Sequence, residues 1–167
     1  MKVAIIGAGN MGTAVAADLA RNNEVAIHSS KPQLFSKIVK YVDSATGDSF
    51  ESCLSLISSD YERVLPGAEL VLVTLPTPVI EDVVKKIEPY VGRDSVVGYL
   101  PGAGGVEFLS APLMAKGCCI FGFERVPYVA RLQEYVFRWI PVQCSGDTRS
   151  LFGCKDRLSA AKLILFS

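Results

Sequence analysis

Six residues near the amino terminus, Gly7-Ala8-Gly9-Asn10-Met11-Gly12, set three glycines at the G-x-G-x-x-G spacing. The β-formers Val3-Ala4-Ile5-Ile6 lead into them and an Ala-rich stretch, Thr13 to Ala17, leads out with helical character. In a strand-turn-helix of this kind the first glycine makes the tight turn. The second lets the backbone approach a pyrophosphate, and the third lets helix and strand lie close together. Peptide dipoles and unpaired N–H groups at the helix start favour an anion there. The chemistry expected of these six residues is the cradling of a dinucleotide's phosphates. A plain βα turn with glycines for packing is the bland alternative.

A second group bears on which dinucleotide. The next strand pattern, Glu24 to His28, is followed by Ser29-Ser30-Lys31. An acidic residue about 20 positions beyond the fingerprint would bind a ribose 2′-hydroxyl, whereas a 2′-phosphate needs donors and positive charge. No Asp or Glu stands here, so Ser29, Ser30 and Lys31 favour NADP(H) over NAD(H), against the reading that Lys31 is merely solvated. His28 is the only histidine. It falls at the adenosine end of such a cofactor, the wrong end for protonating a reacting oxygen or nitrogen atom.

The elements that must position these residues alternate. A first helix is expected to stop near Asn22-Asn23. Pro32 opens a second helical pattern carrying Leu34, Phe35, Ile38 and Val39, and Asp43 to Ser52 reads as a loop. A strand at Leu54 to Ile57 and a short helix at Asp60 to Leu65 follow. Leu70 to Leu75 is a continuous apolar run, the pattern of a strand buried on both faces of a parallel sheet. It ends in Leu75-Pro76-Thr77-Pro78, before a helix from about Val79 to Tyr90 with Val79, Val83, Val84 and Ile87 on one face. A strand at Ser95 to Leu100 meets Pro101-Gly102-Ala103-Gly104-Gly105, where glycines permit either close approach to a ligand or only a sharp turn. A helix at Val106 to Lys116 and a strand at Cys118 to Phe123 complete six strands. The class is α/β: a Rossmann-type, doubly wound, mostly parallel sheet with helices on both faces, whose ligands lie at the carboxyl ends of strands.

Half of the 167 residues are hydrophobic, enough for one substantial core. Seventeen basic and seventeen acidic residues give zero formal charge without clustering, so nothing points to nucleic acid or an anionic membrane surface. Glycines and polar residues interrupt the first twenty positions too often for a secretory signal. Five cysteines, with no C-x-x-C pair, suggest neither a disulfide framework nor a metal site, and Cys118-Cys119 reads as a pair of small buried hydrophobes. A soluble, cytoplasmic protein is expected. Phe137 to Cys144 reads as a further strand and Gly146-Asp147 as a turn. Leu158 to Phe166 is apolar on nearly every side and needs a partner to cover it. Residues 1–150 are thus expected to form the dinucleotide-binding domain, and 151–167 a linker and the first helix of another domain.

Taken together, the chain resembles the amino-terminal domain of the octopine/nopaline (opine) dehydrogenase family, within a wider group that includes ketopantoate and pyrroline-carboxylate reductases. Gly7 to Gly12 is shared by many dehydrogenases; Leu75-Pro76-Thr77-Pro78 opens a helix; Pro101-Gly102 with Gly104-Gly105 and Phe108, and Arg125-Val126-Pro127-Tyr128-Val129-Ala130-Arg131, are narrower. The resemblance implies an NAD(P)H-binding domain contacting cofactor through Leu75, Pro76, Thr77, Pro101 and Gly102 as well as the glycine turn. It also implies a separate carboxyl-terminal helical domain that supplies a substrate pocket and a catalytic histidine, for hydride transfer on the CH–NH or CH–OH group of a small carboxylate substrate. The sequence ends at Ser167, so the catalytic acid is expected beyond it, and the apolar end is expected to meet that domain or another copy of the chain. If the 125–131 stretch is helical, Tyr128 and Arg131 share a face, and Arg131 can anchor a substrate carboxylate from the substrate side of the cleft, against the reading that Arg125 and Arg131 are surface residues or ion-paired with Glu124 and Glu134. A nucleotide-sensing module that regulates a partner without chemistry is the rival reading.

Overall fold

The structure, a computed structural model, describes residues 1–43, 47–102, 104–123, 128–133 and 136–141. The expected turn at Gly146-Asp147 and the apolar segment at Leu158 to Phe166 lie outside them. Strand β1 (Lys2–Ile6) runs through the turn into helix α1 (Asn10–Leu19), and β2 (Glu24–His28) follows. Then come β3 (Ile38–Asp43), β4 (Ser49–Cys53) and β5 (Leu56–Ser58). Helix α2 (Tyr61–Val64), β6 (Leu70–Val73), α3 (Ile80–Ile87) and β7 (Val96–Tyr99) continue the alternation. Helices α4 (Val106–Leu109) and α5 (Ala111–Ala115) lead to β8 (Cys119–Gly122), and β9 (Tyr128–Gln133) and β10 (Val136–Pro141) follow.

Six strands form one sheet in the order β5-β2-β1-β6-β7-β8, with every pairing parallel. The order reverses between β1 and β6, so the chain leaves these two neighbours toward opposite sides and a crevice opens above their carboxyl ends. All four residues of β6, β7 and β8 are buried, which is why these strands read as uninterrupted apolar runs. The alternation of side chains divides the interior into two clusters. Ala4, Ile6, Val71 and Val73 face α2, α3, α4 and α5; Val3, Ile5, Leu70 and Leu72 face α1.

The segment after Pro32 departs from the helical expectation. Only Pro32–Leu34 makes a single 3-10 turn, and β3 and β4 then pair as an antiparallel hairpin. In the strand Val39 and Tyr41 are buried while Ile38 and Lys40 face solvent, an alternation of two that β-branched and aromatic residues suit. The expected loop at 43–52 is correspondingly shorter, because Ser49 to Cys53 is strand. This hairpin joins β9 and β10 in a second sheet, ordered β4-β3-β10-β9. Val39, Tyr41 and Ala130 share a core with Ala14 to Ala17, so α1 is held between two sheets. Gly12 to Ala17 are buried on every side, which accounts for the helix being made almost wholly of small residues.

Two smaller differences have local causes. Val79 is 39% exposed, off the apolar face expected for it, because Thr77–Val79 forms a 3-10 turn ahead of α3; Ile80, Val83, Val84 and Ile87 are the buried set. The single helix expected over 106–116 is two short ones meeting at Ser110. There the fully buried Ser110 hydroxyl donates back to the Val106 carbonyl at 2.7 Å and lies 2.6 Å from the Tyr99 hydroxyl. Cys118 and Cys119 are buried as expected, and burial pushes the Cys118 thiol above its usual range.

Candidate dinucleotide site

The glycine turn lies at the crevice between β1 and β6. Gly7 has φ +116°, a conformation that favours glycine, and its N–H donates to the His28 carbonyl at 3.1 Å, tying the turn to the end of β2. Gly9 precedes α1 with φ −77° and ψ −172°, and no side chain caps the helix there. A Cβ on Gly9 would meet nothing within 4 Å, so the protein leaves room above this position. Gly12 is the opposite case: a Cβ there would overlap the Gly7 carbonyl oxygen. The third glycine is what lets the helix start this close to the turn. Thr13 closes the first helical bond to the Gly9 carbonyl, at 3.0 Å from its N–H.

An uncapped helix start without an acidic residue in its first turn, open above Gly9, fits a pyrophosphate in charge and in space. Gly7 thus makes the turn, Gly9 leaves open space and Gly12 admits the helix against the turn. Asn10 is exposed beside them, while Ala8 and Met11 are half-buried and pack on the core. Thr74, which the glycine spacing does not announce, completes the turn: its Oγ1 reaches the carbonyls of Ile6 at 3.2 Å and Gly7 at 3.0 Å. The signal available in the sequence was a lone hydroxyl closing the buried run at Leu70 to Leu75.

At the end of β2 the three expected residues separate. Ser29 is buried, and its Oγ accepts from the Lys31 N–H at 3.1 Å, while its own N–H donates to the Ser58 carbonyl at 3.0 Å. Ser30 and Lys31 are exposed. His28 is half-buried, with Nε2 3.1 Å from the Ser59 carbonyl oxygen. On the other side of the crevice Leu75 packs into the core with its side chain against Gly7, and Pro76 and Thr77 are exposed. Pro101 is exposed, whereas Gly102 is pressed on β8: its N–H donates to the Phe123 carbonyl at 2.7 Å, and a Cβ would stand 2.6 Å from Gly122 Cα.

Tyr128 and Arg131 lie in β9, paired with Pro141 and Arg138 of β10. The stretch is strand and not helix, so the condition under which the pair was expected to share a face is not met. Residues 124–127 are outside the described residues.

A parallel sheet with a glycine turn at its reversal point and an uncapped helix above it defines an NAD(P)-binding domain of the dehydrogenase type. The sequence model of the NAD-dependent glycerol-3-phosphate dehydrogenase amino-terminal domain matches residues 2–110, and the chain belongs to that family. An opine dehydrogenase of Haliotis discus hannai is 31% identical over 56% of this chain and 24% of its own length. A glycerol-3-phosphate dehydrogenase [NAD(P)+] of Syntrophomonas wolfei is 30% identical over 69% of this chain and 34% of its own. Among solved structures, octopine dehydrogenase in complex with NADH and agmatine superposes with a TM-score of 0.81 at 20% identity, over 100% of this chain and 46% of that one. The 2-dehydropantoate 2-reductase of Porphyromonas gingivalis gives 0.71 at 16%, over 98% and 60%. The chain therefore spans about a quarter to a third of these two curated relatives. No helix among the described residues is long and apolar enough to cross a membrane.

Proposed function

We propose that this chain is the cofactor half of an opine-dehydrogenase-like oxidoreductase that prefers NADP(H) and acts by hydride transfer on the CH–NH or CH–OH group of a small carboxylate substrate. The observation that carries the cofactor preference is the end of β2, where Ser30 and Lys31 are exposed and the stretch Ser29-Ser30-Lys31 holds no Asp or Glu. The substrate class is supported by the opine and octopine dehydrogenases among the relatives.

When bound, the nicotinamide supplies or receives the hydride. This chain's residues bind and orient: Gly7 to Gly12 and the start of α1 hold the pyrophosphate, and Ser30 with Lys31 receives the adenosine end. Leu75, Pro76, Thr77 and Pro101 border the half of the crevice over β6 and β7. His28 lies at the end of β2 and holds Ser59, so it is not the proton donor of this reading. That donor, the substrate pocket and the cover for the apolar 158–166 segment belong in this proposal to a carboxyl-terminal helical domain, or to a second copy of the chain. Arg131, on β9, is the proposed carboxylate anchor.

The test compares the 167-residue chain with a chain extended by the carboxyl-terminal portion of a relative's length. The short chain is expected to bind NADPH without turnover; the extended one is expected to oxidise NADPH with amino acid and 2-oxo acid pairs. Turnover by the short chain, or NADH favoured by both, overturns the reading.

A further inference from the structure

Thr74 follows β6 directly, half-buried beneath the glycine turn. Its N–H donates to the Ile6 carbonyl at 2.9 Å, and its hydroxyl serves both that carbonyl and the Gly7 carbonyl. Gly7 is buried, and its carbonyl is wedged against the first turn of α1, as the overlap with a Cβ on Gly12 shows. The same Cβ would stand 2.5 Å from Thr74 Oγ1, so carbonyl, hydroxyl and helix start meet at one point. A buried carbonyl needs a donor. The Thr74 hydroxyl is such a donor, and beside it α1 begins, whose first N–H groups precede the intrahelical bond from Thr13 to Gly9. Those are the donors an anion uses at a helix start.

We propose that Thr74 is a positioning residue for the dinucleotide: its hydroxyl holds the Gly7 carbonyl from below and keeps it off the first N–H groups of α1, which stay aimed at the pyrophosphate. It acts through the glycine turn, from 67 residues away in the sequence. The inference rests on the dinucleotide site alone. It is independent of the phosphate preference, because NADH and NADPH share the pyrophosphate.

Calorimetric titration of the full chain with NADH, NADPH, ADP-ribose and adenosine 2′-monophosphate tests it. Thr74→Val keeps the shape and removes the hydroxyl, and is expected to weaken the first three about tenfold, as loss of one net hydrogen bond would. The monophosphate, which lacks a pyrophosphate, should bind as to the parent, and Thr74→Ser should restore all affinities. Parent-like binding of ADP-ribose by Thr74→Val overturns the proposal, as does an equal loss for the monophosphate or failure of serine to rescue. If Thr74→Val does not fold, Thr74→Ala takes its place against Thr74→Ser under the same criteria.

Discussion

The imidazole of His28 lies on the phenol ring of Tyr61, with centroids 3.9 Å apart and planes inclined by 26°. The stack joins the end of β2 to α2, and the bond to the Ser59 carbonyl fastens it from the edge. Burial drives the His28 pKa below 6.5, outweighing the Ser59 bond that raises it; Lys86 lowers it further and Asp60 raises it. The unfolded chain therefore takes up this proton at a higher pH than the folded one. Stability is lost as pH falls through 6.5, and the loss levels off below the folded value. His28→Phe keeps a ring on Tyr61 without a proton to bind. The drop in melting temperature from about pH 8 to about pH 5 should be smaller in this variant than in the parent. Equal drops would remove His28 from the account.

The glycines predict two different failures. Gly9→Val has backbone angles that valine tolerates and open space for its side chain, so the variant should melt near the parent temperature yet not bind NADPH. Gly12→Ala pushes a methyl into the Gly7 carbonyl and should cost about 1–3 kcal/mol of stability, seen as a lower denaturation midpoint. A Gly9→Val protein that binds normally would disprove the phosphate-cradle assignment.

Lys31 predicts cofactor choice. NADPH should bind more tightly than NADH, and Lys31→Glu should reverse or erase the difference by setting a carboxylate against the 2′-phosphate. Titration with both nucleotides decides it; an NADH preference already present in the parent would sink the idea.

For Arg131 the expected outcome is a split in kinetic constants. In the enzyme extended through its carboxyl-terminal portion, Arg131→Lys should raise the Michaelis constant for the carboxylate substrate several-fold and leave NADPH affinity alone, since lysine keeps the charge and loses the two-pronged bond. An unchanged Michaelis constant takes Arg131 out of the site.

Local pattern alone determined the centre of the six-stranded sheet, because β6, β7 and β8 are buried on both faces, a condition that shows as an unbroken apolar run such as Leu70 to Val73. It determined the glycine turn too, since Gly7 and Gly12 answer to steric demands within one strand-turn-helix. Tertiary structure decided what depends on distant neighbours. Residues 38–43 carry apolar spacing compatible with either period, and became a strand because β4 and β10 flank it and α1 covers Val39 and Tyr41. Tyr128 to Gln133 became strand for the same reason, with β10 as its partner. Thr74 acquired its role only when the parallel pairing of β1 and β6 brought its hydroxyl beneath the Gly7 carbonyl, a contact between residues 67 positions apart that no local spacing encodes.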